Sequence, residues 1–315
     1  MKKIILLLFL FIITQDVISQ NFYSRRINRK WIATGGIGYA RSLSDLTNPG
    51  TYFDTKLNIE GGIQYRATSH LNIRTNLLLF QLSGDDGEID PELNTRSRNL
   101  SFVSNNVELS ATASYSLFEH VPRFRQRKAV NPYVFAGVGL LYFDPRAEIP
   151  STVFIPGEPE PVILENGGKQ VSLAKYDTER PNDYSRFAVV IPVGAGIKFK
   201  VSDFLDVSAE VSNRITFTDY LDDVSGKSYA DPSLFDFTQQ FDREAYALSN
   251  PTGTNSDTRG NPENNDYYLI VNIKAEFYLK GDFFDKLFGI EGRKFNLKSG
   301  RRRGLFNKGP ARRTP

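Results

Sequence analysis

The sequence predicts an all-β protein: an eight-stranded up-and-down transmembrane β-barrel of the outer-membrane type, with four long external loops. Three observations lead there. Eight segments of about eleven or more residues alternate apolar and polar side chains with period two. The connections between them alternate long and short along the chain. After residue 20, no apolar run reaches the length of about 18 residues that a helical span needs.

The elements follow in order. Residues 1–20 read as a secretory signal: Lys2 and Lys3 supply the positive end, and Ile4 to Ile13 are uninterrupted apolar residues, too few to span a bilayer. The barrel is expected over 21–279. Its first strand falls at 30–41. The second is the clearest, with Leu57, Ile59, Gly61, Ile63, Tyr65 and Ala67 on one face and Asn58, Glu60, Gly62, Gln64 and Arg66 on the other. Strands at 70–81, 103–117 and 131–143 come next, the middle one with Val107, Leu109, Ala111, Ala113, Tyr115 and Leu117 in one row. The last three occupy 186–200, 204–216 and 267–279, where Leu269, Val271, Ile273, Ala275, Phe277 and Leu279 form the final apolar row.

Residues 68–69, 118–130 and 201–203 make the shorter turns, and 42–56, 82–102, 144–185 and 217–266 the long loops. Short turns and both termini belong in the periplasm, long loops outside. A secreted sandwich also alternates, but its strands run about 5 or 6 residues. The polar rows carry Glu60, Arg66, Arg74, Glu108, Glu210, Arg214, Lys274 and Glu276. A narrow eight-stranded lumen holds such residues as a paired core, which disfavours an open channel.

Composition removes several functions. There is no cysteine, so no disulfide, thiolate nucleophile or lipid anchor at a new N-terminus. Two histidines leave no zinc or non-haem iron site of the usual kind, and His70 and His120 both fall at the turn end. No serine sits in a nucleophile elbow. Gly35-Gly36-Ile37-Gly38 and Gly137-Val138-Gly139 lack the helix a nucleotide site requires; glycine in barrel strands serves close packing instead. No catalytic residue, cofactor or metal site is therefore expected. The string Phe217 to Gly226 contains Asp219, Asp222 and Asp223, but their spacing does not match the twelve-residue calcium loop; a turn shaped by Asp and Gly is the preferred reading.

Charge is unevenly placed. Residues 280–315 hold 11 basic and 3 acidic side chains, whereas 21–279 hold 26 and 32. The two longest loops are acidic, which suits a hydrated outer surface, with eight acidic against four basic residues in 144–184 and ten against three in 217–266. In the tail, Phe283, Phe284, Leu287 and Phe288 suggest a short amphipathic helix, followed by Arg301-Arg302-Arg303. Nucleic acid is not expected as the partner of a periplasmic segment; anionic lipid or an acidic periplasmic protein is.

Several strings carry a resemblance: Asn131 to Gly139, Tyr184 to Phe187, Ile191 to Lys198, Phe217 to Gly226, and Asn264 to Tyr268. Together these resemble the Bacteroidota outer-membrane barrel family that includes PorG of the type IX secretion system, over residues 31–279. The resemblance implies a non-enzymatic part of the secretion and gliding machinery. It would anchor or position a periplasmic ring built by a lipoprotein and its partner. The alternative is an outer-surface adhesion or ligand-binding barrel that works through the acidic loops 144–185 and 217–266. Under either, outer-membrane lipid surrounds the barrel.

Overall fold

The computed structural model describes residues 29–44, 46, 55–86, 98–119, 127–253, 259–261 and 265–279. Eight long antiparallel strands form the wall: β1 (Trp31–Leu43), β2 (Lys56–Arg66), β3 (Leu71–Asp85), β4 (Ser101–Ser116), β5 (Val130–Tyr142), and later in the chain β10 (Phe187–Lys200), β11 (Leu205–Thr216) and β12 (Tyr267–Tyr278). Each pairs with its neighbour in sequence. The pairing of β1 with β12 closes the ring, and β3 with β4 completes it. Between β5 and β10 lie the short strands β6 (Pro145–Glu148), β7 (Thr152–Val153), β8 (Val162–Ile163) and β9 (Gln170–Ser172), and the helix α1 (Leu173–Tyr176). A second helix, α2 (Gln240–Ser249), lies between β11 and β12. No helix among the described residues is long and apolar enough to cross a membrane; the strands do the crossing.

The register fixes the shape of the barrel. From Trp31, paired residues lead round through Tyr65, Ile73, Ala113, Ala136, Val193, Asn213 and Leu269, and return to β1 at Arg41. The path climbs ten residues, from 31 to 41. With eight strands and ordinary strand spacings, that stagger tilts the strands by about 41°. The lumen is then wide enough for side chains and little else.

Side chains on the wall reverse the arrangement of a soluble protein. Outward positions such as Ile37, Leu57, Ile59, Leu79, Leu109, Val138 and Ile273 are apolar and exposed. Aromatic rings bound this belt at both ends. Trp31, Tyr65, Tyr115, Phe199 and Phe277 lie near the short turns; Tyr39, Tyr142, Phe187, Phe217 and Tyr267 lie near the long loops. About ten residues of tilted strand separate the two girdles, or ~25 Å, the height of the apolar band of an outer-membrane barrel. Meanwhile the inward row is polar and buried. The protein is an outer-membrane β-barrel.

Two expectations are refined. The ribbon of β3 and β4 continues past the expected strand ends to Asp85 and from Ser101, so 82–85 and 101–102 are paired strand rather than loop. The acidic loops 144–185 and 217–266 are also less hydrated than their charge implies: Ile149, Val153, Leu164, Leu173, Leu221, Val224, Tyr246 and Leu248 bury themselves in a core continuous with Leu78, Phe80 and Leu141 of the lumen. The chain divides into units 1–281 and 282–315. The second unit, like the signal, His120 and the expected helix at 283–288, lies outside the described residues.

Candidate functional site

Two sets of buried polar groups are candidates for function, one inside the wall and one above it. Inside, all eight charged residues expected to face the lumen do so, and seven of them enter ion pairs. Near the turn end, Arg127 and the Tyr278 hydroxyl both donate to Asp206 Oδ2, each at 2.6 Å, and Lys198 Nζ meets Glu276 at 2.5 Å. At mid-height, Glu210 receives Arg74, Lys274 and, at 2.5 Å, the Tyr133 hydroxyl, while Lys274 also bridges to Glu60. Higher up, Arg214 Nε lies 3.0 Å from Glu108 Oε2, which also accepts from the Tyr268 hydroxyl at 2.8 Å. Arg66 stands apart from the carboxylates, with its guanidinium 5.4 Å from the Tyr278 ring.

Glycine makes the room. A Cβ on Gly196 would sit 2.6 Å from Tyr133 Cζ, and one on Gly36 would sit 2.8 Å from Lys274 Cγ. The Gly-rich strands of the sequence are thus the sites where large inward side chains cross. This network shuts the lumen. Above it, Leu78, Phe80, Leu141, Val190 and Ile270 add an apolar layer.

The second set lies above the barrel at the loop end, where all four long loops converge on the string Phe217 to Gly226. Leu221 and Val224 turn inward and are buried. Asp222 accepts the Val224 amide at 2.9 Å and, from the first loop, the Leu46 amide at 3.2 Å. Asp223 adopts φ 67°, a left-handed conformation that Asp tolerates. Its carboxylate accepts the Thr178 hydroxyl and, at 2.5 Å, the Tyr184 hydroxyl, both from the third loop. Tyr184 stacks on Tyr220 with centroids 4.6 Å apart. Arg259, from the fourth loop, pairs with Glu179 and donates to the Asp223 carbonyl at 3.1 Å. The second loop joins through Arg98, which chelates Asp86 at 2.6 and 3.1 Å and donates to the Arg259 carbonyl. Asp266, just before β12, takes the Leu221 amide at 2.9 Å.

Burial distorts the acid–base behaviour of this lock. Removal from water, reinforced by Asp222 and Asp177, pushes Asp223 up to about 7 despite the hydrogen bonds from Thr178 and Tyr184. The same desolvation, with Arg98 close by, lowers Arg259 to about 9. Tyr184 is raised by burial and by the Asp223 charge.

The sequence offers Asp219, Asp222 and Asp223 as calcium ligands or turn formers. Asp222 and Asp223 shape the turn and, beyond that, tie three loops together; Asp219 is buried beside them. Among the described residues no group of three or more His, Cys, Asp or Glu side chains is arranged to hold a metal. What sequence reasoning missed is Arg98 and Arg259, which no periodicity or motif marks. Arg259 meets Glu179 of the third loop and Arg98 meets the Arg259 carbonyl, contacts between loops that only the fold brings together. In the cap Arg98 pairs with Asp86 and Arg259 with Glu179, as Arg74 does with Glu210 and Arg214 with Glu108 in the lumen.

No family model matches the chain, and no curated protein matches it. Solved outer-membrane proteins are similar to it. Neisserial surface protein A is 10% identical over 79% of this chain and 97% of that one, with a TM-score of 0.37. OprG from Pseudomonas aeruginosa is 10% identical over 81% and 98%, with a TM-score of 0.38. Ail, the attachment invasion locus protein of Yersinia pestis, in complex with the heparin analogue sucrose octasulfate, is 8% identical over 79% and 98%, with a TM-score of 0.33.

The expectation of a secretion-machinery component is corrected here, and with it the ring lipoprotein and its partner. The barrels found are surface and outer-membrane proteins, none of these three a secretion component. The basic tail, with its expected partner of anionic lipid or an acidic periplasmic protein, lies outside the described residues. The strings that carried the resemblance have a local explanation as well: Tyr184, Phe217 to Gly226 and Asp266 are parts of one lock over the barrel mouth.

Proposed function

We propose that the protein is an outer-surface binding or adhesion barrel that acts through loops 144–185 and 217–266. One observation carries this reading: these loops fold as a platform with buried ion pairs and a core continuous with the apolar layer of the lumen, far beyond what closing the mouth requires. The ion-paired lumen beneath leaves little path for a solute, so the working surface lies on the loops. On that platform the hairpin of β7 and β8 presents Phe154 and Ile163 to solvent, 54% and 79% exposed, among Glu158, Glu160 and Glu165. Exposed apolar side chains rimmed by charge mark interaction surfaces.

The test is to replace residues 154–161 with a Gly-Ser linker and measure adhesion of cells displaying the protein to immobilised surfaces of differing charge. Loss of adhesion with the barrel still folded supports the platform. Undiminished adhesion assigns the work elsewhere and sinks this reading.

We also infer that both termini face the periplasm, because the short turns lie at the end of the barrel that holds Trp31 and Tyr278. The chain has no cysteine, so single thiols report cleanly. A membrane-impermeant maleimide should label Ser228→Cys on intact cells and Ser69→Cys only after lysis; the opposite pattern inverts the topology. The same placement supports removal of residues 1–20 and a separate basic segment at 280–315. The intact mass of the mature protein checks the first of these boundaries.

A further inference from the structure

The lipid-facing wall is not uniform. Across β5, β10 and β11 it carries an apolar groove of 650 Å³ walled by Val134, Ala195, Ile197, Phe199, Ala209 and Val211. Register gives the groove its depth. Ala195 is flanked by Val134 and Val211, and Ala209 is paired with Ile197, so alanines form the floor and larger side chains the rims. It runs from mid-belt down to the turn-end girdle, where Tyr115 and Leu117 border it.

The groove ends beside polar groups. Phe118, next to Leu117 in sequence, lies beneath the Lys128 ammonium, which is 5.4 Å from its ring centroid. Lys128 is exposed and, among the described residues, enters no ion pair. His70 stacks on Tyr115 at 5.3 Å on the same rim.

We propose that this groove is a binding site for one anionic phospholipid of the leaflet at the turn end, with an acyl chain along the alanine floor and the phosphate at Lys128. The apolar walls, inside the belt between the girdles, specify hydrocarbon. A cation at headgroup depth specifies an anionic lipid, since among the described residues no carboxylate pairs with it. The site rests on the membrane embedding of the barrel and is independent of the adhesion reading.

The experiment is native mass spectrometry of the full chain in detergent, incubated with 1-palmitoyl-2-oleoyl-phosphatidylglycerol or the matching phosphatidylcholine. The wild type should retain one phosphatidylglycerol, severalfold more than phosphatidylcholine. Ala209→Phe, which fills the floor, should abolish that retention, and Lys128→Glu should erase the preference for phosphatidylglycerol. Ile63→Phe, on the lipid-facing side of β2, should change nothing. Heat-modified migration on gels verifies that each variant is folded, and Ala195→Ile replaces Ala209→Phe if that one is not. Equal retention by Ala209→Phe and wild type, or a preference that survives Lys128→Glu, overturns the site. So does a dimer that Ala209→Phe dissociates, for then a second copy fills the groove.

Discussion

Arg214 on β11 reaches across the lumen to Glu108 on β4, with its Nε 3.0 Å from the carboxylate and both side chains shielded from solvent. The two strands are not neighbours in the sheet, since β10 and β5 lie between them. The pair therefore braces non-adjacent strands across the lumen.

Removing one partner leaves an uncompensated buried charge, which typically costs about 3–5 kcal/mol. Arg214→Met and Glu108→Leu should each destabilise the barrel by that order, whereas the double variant should recover most of the loss. Urea unfolding in lipid vesicles reads all three. Additive losses in the double variant would mean the two residues do not act as a pair.

Glycine at the inward positions is a packing requirement, and the wall supplies its own control. Gly196→Val drives a side chain into Tyr133 and should cost about 1–3 kcal/mol or prevent folding. Gly61→Val points to the lipid, where a Cβ meets nothing within 4 Å, and should be neutral or stabilising. The ratio of folded to unfolded bands after refolding into detergent distinguishes them. Equal effects at the two positions would refute the crowding argument.

The lock should loosen as pH rises. Asp223 has a folded pKa of about 7, above the unfolded value of about 3.9, because burial and neighbouring Asp222 disfavour its charge. Its contribution to stability is therefore complete below about pH 4 and is lost as pH climbs through 7. The charged groups that face it are Asp222, Asp177 and Arg259, the last also paired with Glu179. Proteolysis of the 217–226 segment should quicken between pH 6 and 8 in the wild type, and Asp223→Asn should flatten that dependence. A wild-type profile that is already flat would place the titration outside this window.

With its lumen bridged by Arg74–Glu210, Lys274–Glu60 and Arg214–Glu108, the protein should show no steady conductance in planar bilayers. Single-channel steps from the wild type would contradict the closed lumen.

Period-two alternation was enough to place all eight wall strands within a few residues, because each strand of a barrel faces lipid on one side and a polar lumen on the other. The same alternation marked Glu60, Arg66, Arg74, Glu108, Glu210, Arg214, Lys274 and Glu276 as inward-facing, since nothing else buries charge at those positions. It could not say which cation meets which carboxylate. Those partners lie on strands far apart in sequence and are selected by a ten-residue stagger that no local pattern encodes. The loops were legible only as acidic and long. Their charge suggested hydration, but Glu179, Asp222 and Asp223 find donors on other loops once the strands close, and burial follows from that closure. A two-residue repeat is a local property of the chain, set by the environment of each face; a lock made from four loops exists only when the barrel brings their ends together.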